Sequence, residues 1–433
     1  MERIWLNSEG FNYLNKIGTD YIMNKKDLLL VLLILGFTCI HAQEQENKEK
    51  FHWLNISGFI SHSVKYDSRQ TVNARDGEFL LFPKPVVRDA NGNDMNDYGR
   101  LQMFNLHSRL RFSMTGMKID DFQSSAVLEF DYFGTSDANS STARLRHAFI
   151  QLKNEKLGFL LGQTWHPTFV TSCYPEIIAW GAAVPIQPFS RAPQVRVTYT
   201  PSKSLELSLS ALSQRDFSDR GPNGASGEYL RNSGLPEVQA RLIASSNNGL
   251  LAGVVGGFKT IVPRLKSDAN LAHKETASSY NIGGFAKYSN SKFFIKVYGT
   301  YGENLTNLLL IGGYGVKSID PVTDFRTYKN TETTAVWSEI EYKMKNWATG
   351  FFIGHVKAPD HDNKPDVYYG FGNDLTSLTR WSPRITYTKN KLKFGVELAT
   401  TSVKYADSVQ DGQFVDSHNI TNYRYIFTTI YNF

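Results

Sequence analysis

What most constrains this chain is the rhythm of its connections. Sixteen candidate strands of about ten residues each alternate apolar with polar side chains, the period-two signature of a sheet with one face in each of two solvents. Between them, short turns fall at 116–121, 154–156, 201–204, 246–249, 289–291, 344–346 and 389–391. Long loops fall at 66–100, 134–142, 165–193, 215–236, 263–277, 303–332, 358–378 and 406–420. Short and long alternate without exception, which places both chain ends on the short-turn side. A Greek-key sandwich imposes no such order, whereas an up-and-down antiparallel barrel requires it. The expectation is an all-β transmembrane barrel of about sixteen strands over 53–433.

The N-terminal residues supply a compartment. Met23 to Ala42 carries two lysines, then an apolar run from Leu28 to Phe37, then small residues, and reads as a secretory signal peptide (23–42) too short for a membrane helix. Residues 1–22 read as an over-extended start and 43–52 as a short periplasmic segment. Cys39, with Thr38 and Gly36 before it, makes a poor lipidation box. Beyond the signal a single cysteine remains, Cys173, so no internal disulfide is available. The net charge of +6 is spread through the strands rather than clustered, which argues against nucleic acid as a partner. Aromatic residues form 13% of the chain and recur near strand ends (Trp53, Tyr132, Tyr199, Tyr288, Tyr301, Trp347, Tyr387), as interfacial girdles would. The last strand puts Tyr423, Tyr425, Phe427, Thr429, Tyr431 and Phe433 on one face and stops there. A terminal Phe433 reads as an outer-membrane assembly signal, and the location expected is the outer membrane of a Gram-negative-type bacterium, with periplasmic termini and lipid as a partner.

The strand faces carry the functional content. In the second strand Phe104, Leu106, Ser108, Leu110 and Phe112 suit lipid, leaving Asn105, His107, Arg109 and Arg111 to the lumen. In the third, Ala126, Leu128, Phe130 and Tyr132 point out, and Glu129 and Asp131 point in. Arg144 and Arg146 oppose outward Leu145 and Phe149. Arg196 sits between Val195 and Val197, Arg241 between Ala240 and Leu242, and Arg380 and Arg384 flank Trp381 and Ile385. An arginine at the bilayer midplane costs about 2–4 kcal/mol, so these side chains belong to the lumen or near an interface. Two readings stay open. The arginines pair with Glu129, Asp131, Glu206, Glu237, Glu339 and Glu341 in a solvated wall, or Arg109, Arg111, Arg144, Arg146 and Arg196 form a basic ladder for anions such as dicarboxylates. Opposed charge across a narrow lumen would also orient dipolar solutes.

The third long loop lacks an exposed composition. Trp165, His166, Phe169, Tyr174, Ile177, Ile178, Trp180 and Phe189 are strung on five prolines from Pro167 to Pro193, with Glu176 and Arg191 its only full charges. Such a segment folds into a barrel and narrows it; a surface lid or subunit contact is the other use. The run RLRHAFIQL (144–152) followed by LGFLLGQTWHPTF (157–169) resembles the corresponding strand pair of the DcaP-like trimeric porins. That resemblance implies a sixteen-stranded homotrimer passing small, preferably anionic solutes, with Arg144 and Arg146 in the lumen and Gln163 to Phe169 opening the constriction loop. Some members carry a long helical segment before the barrel; here only 43–52 intervenes, so a trimer would be held by barrel walls.

Enzymatic motifs are absent: no GxSxG elbow, phosphate loop or HExxH helix occurs. His147 and Ser172 have no spacing that pairs them as a hydrolase would need. Asp360, His361 and Asp362 read as a solvated loop tip, and His166 with Cys173 is too small a set for a metal. The expectation is a passive outer-membrane porin without cofactor or metal. The competing readings are a non-conducting structural or adhesive barrel and an outer-membrane hydrolase.

Overall fold

A computed structural model of the protein describes residues 53–72, 74–358, 367–410 and 413–433. The signal segment, the residues before it, 43–52 and Asp360–His361–Asp362 lie outside them. All sixteen expected strands are present in order: Leu54–Asp67 (β1), Arg100–Phe104 with Arg109–Ile119 (β2, in two segments), Phe122–Asp131 (β3), Arg144–Lys153 (β4), Leu157–Trp165 (β5), Arg191–Ser202 (β6), Leu205–Leu212 (β7) and Glu237–Ser245 (β8). The second half runs Leu250–Ile261 (β9), Ala277–Ser289 (β10), Phe293–Glu303 (β11), Glu332–Met344 (β12), Trp347–Lys357 (β13), Leu375–Lys389 (β14), Leu392–Gln410 (β15) and Gln413–Asn432 (β16). Each pairs antiparallel with its sequence neighbour, and β1 closes on β16 from Phe59↔Asn432 to Asp67↔Arg424. Closure leaves no unpaired edge, which the hydrocarbon of a bilayer demands.

The solvent logic is inverted relative to a water-soluble protein. Ile60 (57% exposed), Leu209 (58%) and Ile282 (56%) face outward, while their neighbours Ser61, Ser210 and Asn281 are buried inside. Exposed Trp53, Trp347, Tyr431 and Phe433 ring the short-turn end; exposed Tyr66, Tyr423 and Tyr425 stand toward the other. Phe433 is held on β1, accepting from the Gly58 amide at 3.3 Å and donating back to its carbonyl at 3.1 Å. A side chain at Gly58 would strike the Arg109 carbonyl oxygen, so only glycine allows this three-strand contact.

Several boundaries differ from the sequence reading. β2 is broken at 105–108: Phe104 pairs with Ser63 but Arg109 with Phe59, so one extra residue is absorbed and the parity flips. Phe104 therefore turns inward, under the Lys65 ammonium, and Leu106 packs on the interior cluster, so neither meets lipid. A second bulge between Glu129 and Phe130 puts Arg146 and His147 both inside. It also moves Phe149 to the register of Val127, on the lumen side, and turns Ile150 outward. β14 starts at Leu375, and the loop expected over 406–420 continues the β15–β16 ladder to Gln410↔Gln413. The loops at 303–332 and 358–378 contribute strands Gly312–Ile319, Arg326–Asn330 and Tyr368–Phe371 to a separate small sheet, and 215–236 holds a one-turn helix, Glu228–Ser233 (α1).

The apolar core lies in the lumen. Phe169, Val170, Trp180, Val184, Ile186 and Phe189 of the third long loop pack with Phe79, Leu81 and Phe82 of the first, and with inward Phe285, Tyr298, Trp337 and Phe352 of the wall. The third loop folds inward, as its composition requires. The first does too, and its apolar run FLLF (79–82) was the signal for it.

Candidate functional site: an arginine wall and an inward loop

Register builds the basic cluster. β3 lies between β2 and β4, with Asp131 opposite Arg109 and Arg144, and Glu129 opposite Arg111. Two acids thus face four guanidiniums across neighbouring strands. Arg144 grips Asp131 with two bonds, 3.0 and 2.7 Å. Arg146 bridges both acids, at 2.7 Å to Glu129 and 2.9 Å to Asp131. Glu129 also faces Arg111 at 2.9 Å and, more loosely, Arg109 at 3.4 Å. The four are not equivalent: the Arg144 and Arg146 side chains are 3% and 2% exposed, those of Arg109 and Arg111 24% and 36%. Arg144 and Arg146 are the wall's fixed ties, and Arg109 and Arg111 are the members that solvent reaches.

Two further arginines of this wall meet no carboxylate. Arg196 donates to Ser210 Oγ, the Trp165 carbonyl and Gln194 Oε1, all neutral. Arg191, at the root of the loop, is fully buried among the rings of Trp165, Phe189 and Phe217, with guanidinium carbon to centroid distances of 5.0, 5.7 and 5.0 Å. Arg241 sits farther round, paired with Glu206 at 3.1 Å. Arg384 is on the opposite wall, held by Glu339 and Glu341 at 2.8 Å each.

The inward loop crosses from the arginine wall to that opposite wall. At its start Trp165 stacks on Phe169 at 3.8 Å, and His166 Nε2 meets Glu237 at 2.8 Å while Nδ1 meets Thr168. Midway Trp180 packs against Phe79 and Phe133, both at 4.1 Å. Across the lumen, carboxylates take up backbone amides. Glu339 accepts from the Glu176 amide at 2.9 Å, and Glu397 from those of Ile178 and Ala179 at 2.5 and 3.3 Å. Arg380 donates to the carbonyls of Val184, Leu80 and Leu81, tying both inward loops to β14. Lys296 binds Glu176 at 2.6 Å; burial opposes ionisation of that carboxyl, but the ammonium and its hydrogen bond outweigh it and hold it below the usual range.

Of the five arginines that sequence reasoning grouped, the structure brings Arg109, Arg111, Arg144 and Arg146 together around Glu129 and Asp131, whereas Arg196 stands beside Arg241 and Glu206. Sequence reasoning missed Lys296 and Glu397, which alternation places inside but cannot match to partners. His147 and Ser172 have separate company: His147 Nδ1 bonds Thr164, whereas Ser172 lines a polar cavity beside Arg241. Among the described residues no group of three His, Cys, Asp or Glu side chains is placed to hold a metal.

No protein-family model matches the sequence, and no curated protein matches it. The fold is nevertheless that of solved channels. The outer membrane channel DcaP of Acinetobacter baumannii superposes with a TM-score of 0.67 at 18% identity, over 88% of this chain and 97% of that one. An anion-selective porin from Comamonas acidovorans gives 0.54 at 10% identity (88% and 99%). In-vitro folded OmpT of Vibrio cholerae, in its trimer form, gives 0.52 at 11% identity (88% and 100%).

Proposed function

We propose that this porin-like outer-membrane barrel is a passive diffusion channel that favours small anions, dicarboxylates among them, and that it assembles as a trimer through its walls with periplasmic termini. The supporting observation is the charge balance of the arginine wall: Arg109, Arg111, Arg144 and Arg146 share Glu129 and Asp131 between them, and Arg191 and Arg196 hydrogen-bond or pack on neutral groups only. Always-charged guanidiniums in surplus raise the local anion concentration and present forks that match a carboxylate. Arg109 and Arg111 carry this role because they are the accessible pair. A DcaP channel, an anion-selective porin and a trimeric barrel among the similar structures agree with the reading.

The test is single-channel recording in a planar bilayer under a salt gradient, with refolded residues 43–433. A reversal potential favouring anions, in steps of three, is the expected result, and Arg109→Ala with Arg111→Ala reduces the preference. A cation-favouring potential rejects the anion reading and keeps the channel. A second reading, a non-conducting structural or adhesive barrel, draws on the packed aromatic contacts among Phe79, Phe133 and Trp180. A silent bilayer selects it.

A further inference from the structure

A second polar site lies in the lumen toward the short-turn end, next to Arg196 and apart from the Arg109, Arg111, Arg144 and Arg146 group. It is a cavity of about 340 Å³, at the lower end of the range for small-molecule sites. β6, β7 and β8 form its wall, and the loop residues Thr171 and Ser172 cover it. Its charged groups are Arg241, Lys203 and Glu206, two cations to one carboxylate. Arg241 gives Nη2 to Glu206, and its Nε is buried without a hydrogen-bond partner. Lys203 is an exposed residue of the β6–β7 turn at the short-turn rim. The hydroxyl residues Thr171, Ser172, Thr200 and Ser245 complete the polar lining.

We infer that this cavity is a binding site for a hydroxylated monocarboxylate of the sugar-acid class, entered from the short-turn end. The net positive charge of the three ionised groups calls for one anionic group, which the Arg241 and Lys203 donors match. A second carboxylate would have to face Glu206 and is disfavoured by like charge. The second Glu206 oxygen and the four hydroxyls then take a chain of hydroxyl groups, which pair with acceptors and donors alike. A neutral sugar satisfies the hydroxyls but leaves the surplus cation uncompensated; a plain fatty acid does the reverse. The assignment goes beyond anion passage at the arginine wall, because binding here is measurable without any conductance.

The probe is sodium gluconate, titrated calorimetrically into the refolded full-length barrel, with glucose and propionate as the two half-matches. Gluconate is expected to bind at least roughly tenfold more tightly than either, since each loses charge-assisted or hydroxyl hydrogen bonds. Lys203→Met and Thr171→Val, on a turn and a loop, should each weaken gluconate several-fold with the barrel intact by heat-modified gel mobility. Arg241→Gln should remove binding. Gluconate affinity equal to propionate, indifference to Lys203→Met, or tighter binding of a dicarboxylate or an α-amino acid would each overturn the assignment. Loss of conductance with gluconate binding retained would instead count against the channel reading alone.

Discussion

The two walls that face each other across the inward loop use acidic residues in opposite ways. On β2–β4, Glu129 and Asp131 spend their oxygens on arginine side chains, which fixes Arg144 and Arg146 and leaves Arg109 and Arg111 only partly matched. On β11–β15, Glu339, Glu341 and Glu397 equal Lys296, Arg380 and Arg384 in number, yet Glu339 and Glu397 spend oxygens on backbone amides of the loop, and Lys296 reaches the loop's own Glu176. The acids of this wall are therefore spent on the loop that they anchor, while the guanidinium surplus of the other wall stays only partly matched. Here one wall keeps partly matched guanidiniums and the other holds the loop.

Removing the holding side should have the largest effect. Glu397→Ala strips the acceptor from the Ile178 and Ala179 amides in a buried setting, at about 1.5–3 kcal/mol for each such bond. The expected outcome is faster hydrogen exchange over 176–182 and a larger, noisier unit conductance; unchanged exchange would break the distinction between the walls. Next, Arg144→Ala with Arg146→Ala leaves Asp131 and Glu129 short of partners in a dry site, about 3–5 kcal/mol, and should pull the reversal potential toward cations. Arg109→Ala with Arg111→Ala should move the potential with far less loss of stability, since both are partly solvated. If both pairs cost the same in a denaturant midpoint, the division into ties and accessible members fails.

A smaller effect is expected from Trp337→Phe, which keeps the ring packing but deletes the 2.6 Å donation to Gln187 Oε1. A buried acceptor left unpaired costs about 1–3 kcal/mol, readable as a lowered unfolding midpoint with selectivity unchanged. The smallest belongs to the loop cluster outside the bilayer, where the Asp268 amide, Arg264 and Arg326 hold Asp324 well below the usual carboxylate range. A depressed folded-state value means its contribution is complete above the ordinary carboxylate pKa and is lost as pH falls toward the folded one. Exchange over 264–273 should stay protected at pH 6 and rise only in strong acid; a rise near pH 5 would contradict it.

The strands were legible because lipid outside and polar lumen inside force alternation at every step, and each of the sixteen segments repeats the test. The parity of Phe104, Leu106 and Phe149 was not, because a bulge inserts one residue without a local composition signal and reverses every face beyond it. The arginine wall was legible since its partners lie on adjacent strands. The anchors were not: Glu339 and Glu397 act on residues 163 and 219 positions away, a separation no period reports.

That separation also sets an order of events in assembly. The loop is made from the first half of the chain, but its carboxylate and guanidinium anchors stand on β12, β14 and β15, near the end. Contacts so distant in sequence form late, because their closure entropy must be met before they contribute. The expected order is neighbouring strands paired first and the lumen crossed afterwards. An insertion intermediate trapped before β15 joins should be leakier than the finished protein, since it lacks both the Glu397 anchor of the loop and the β1–β16 seam of the wall.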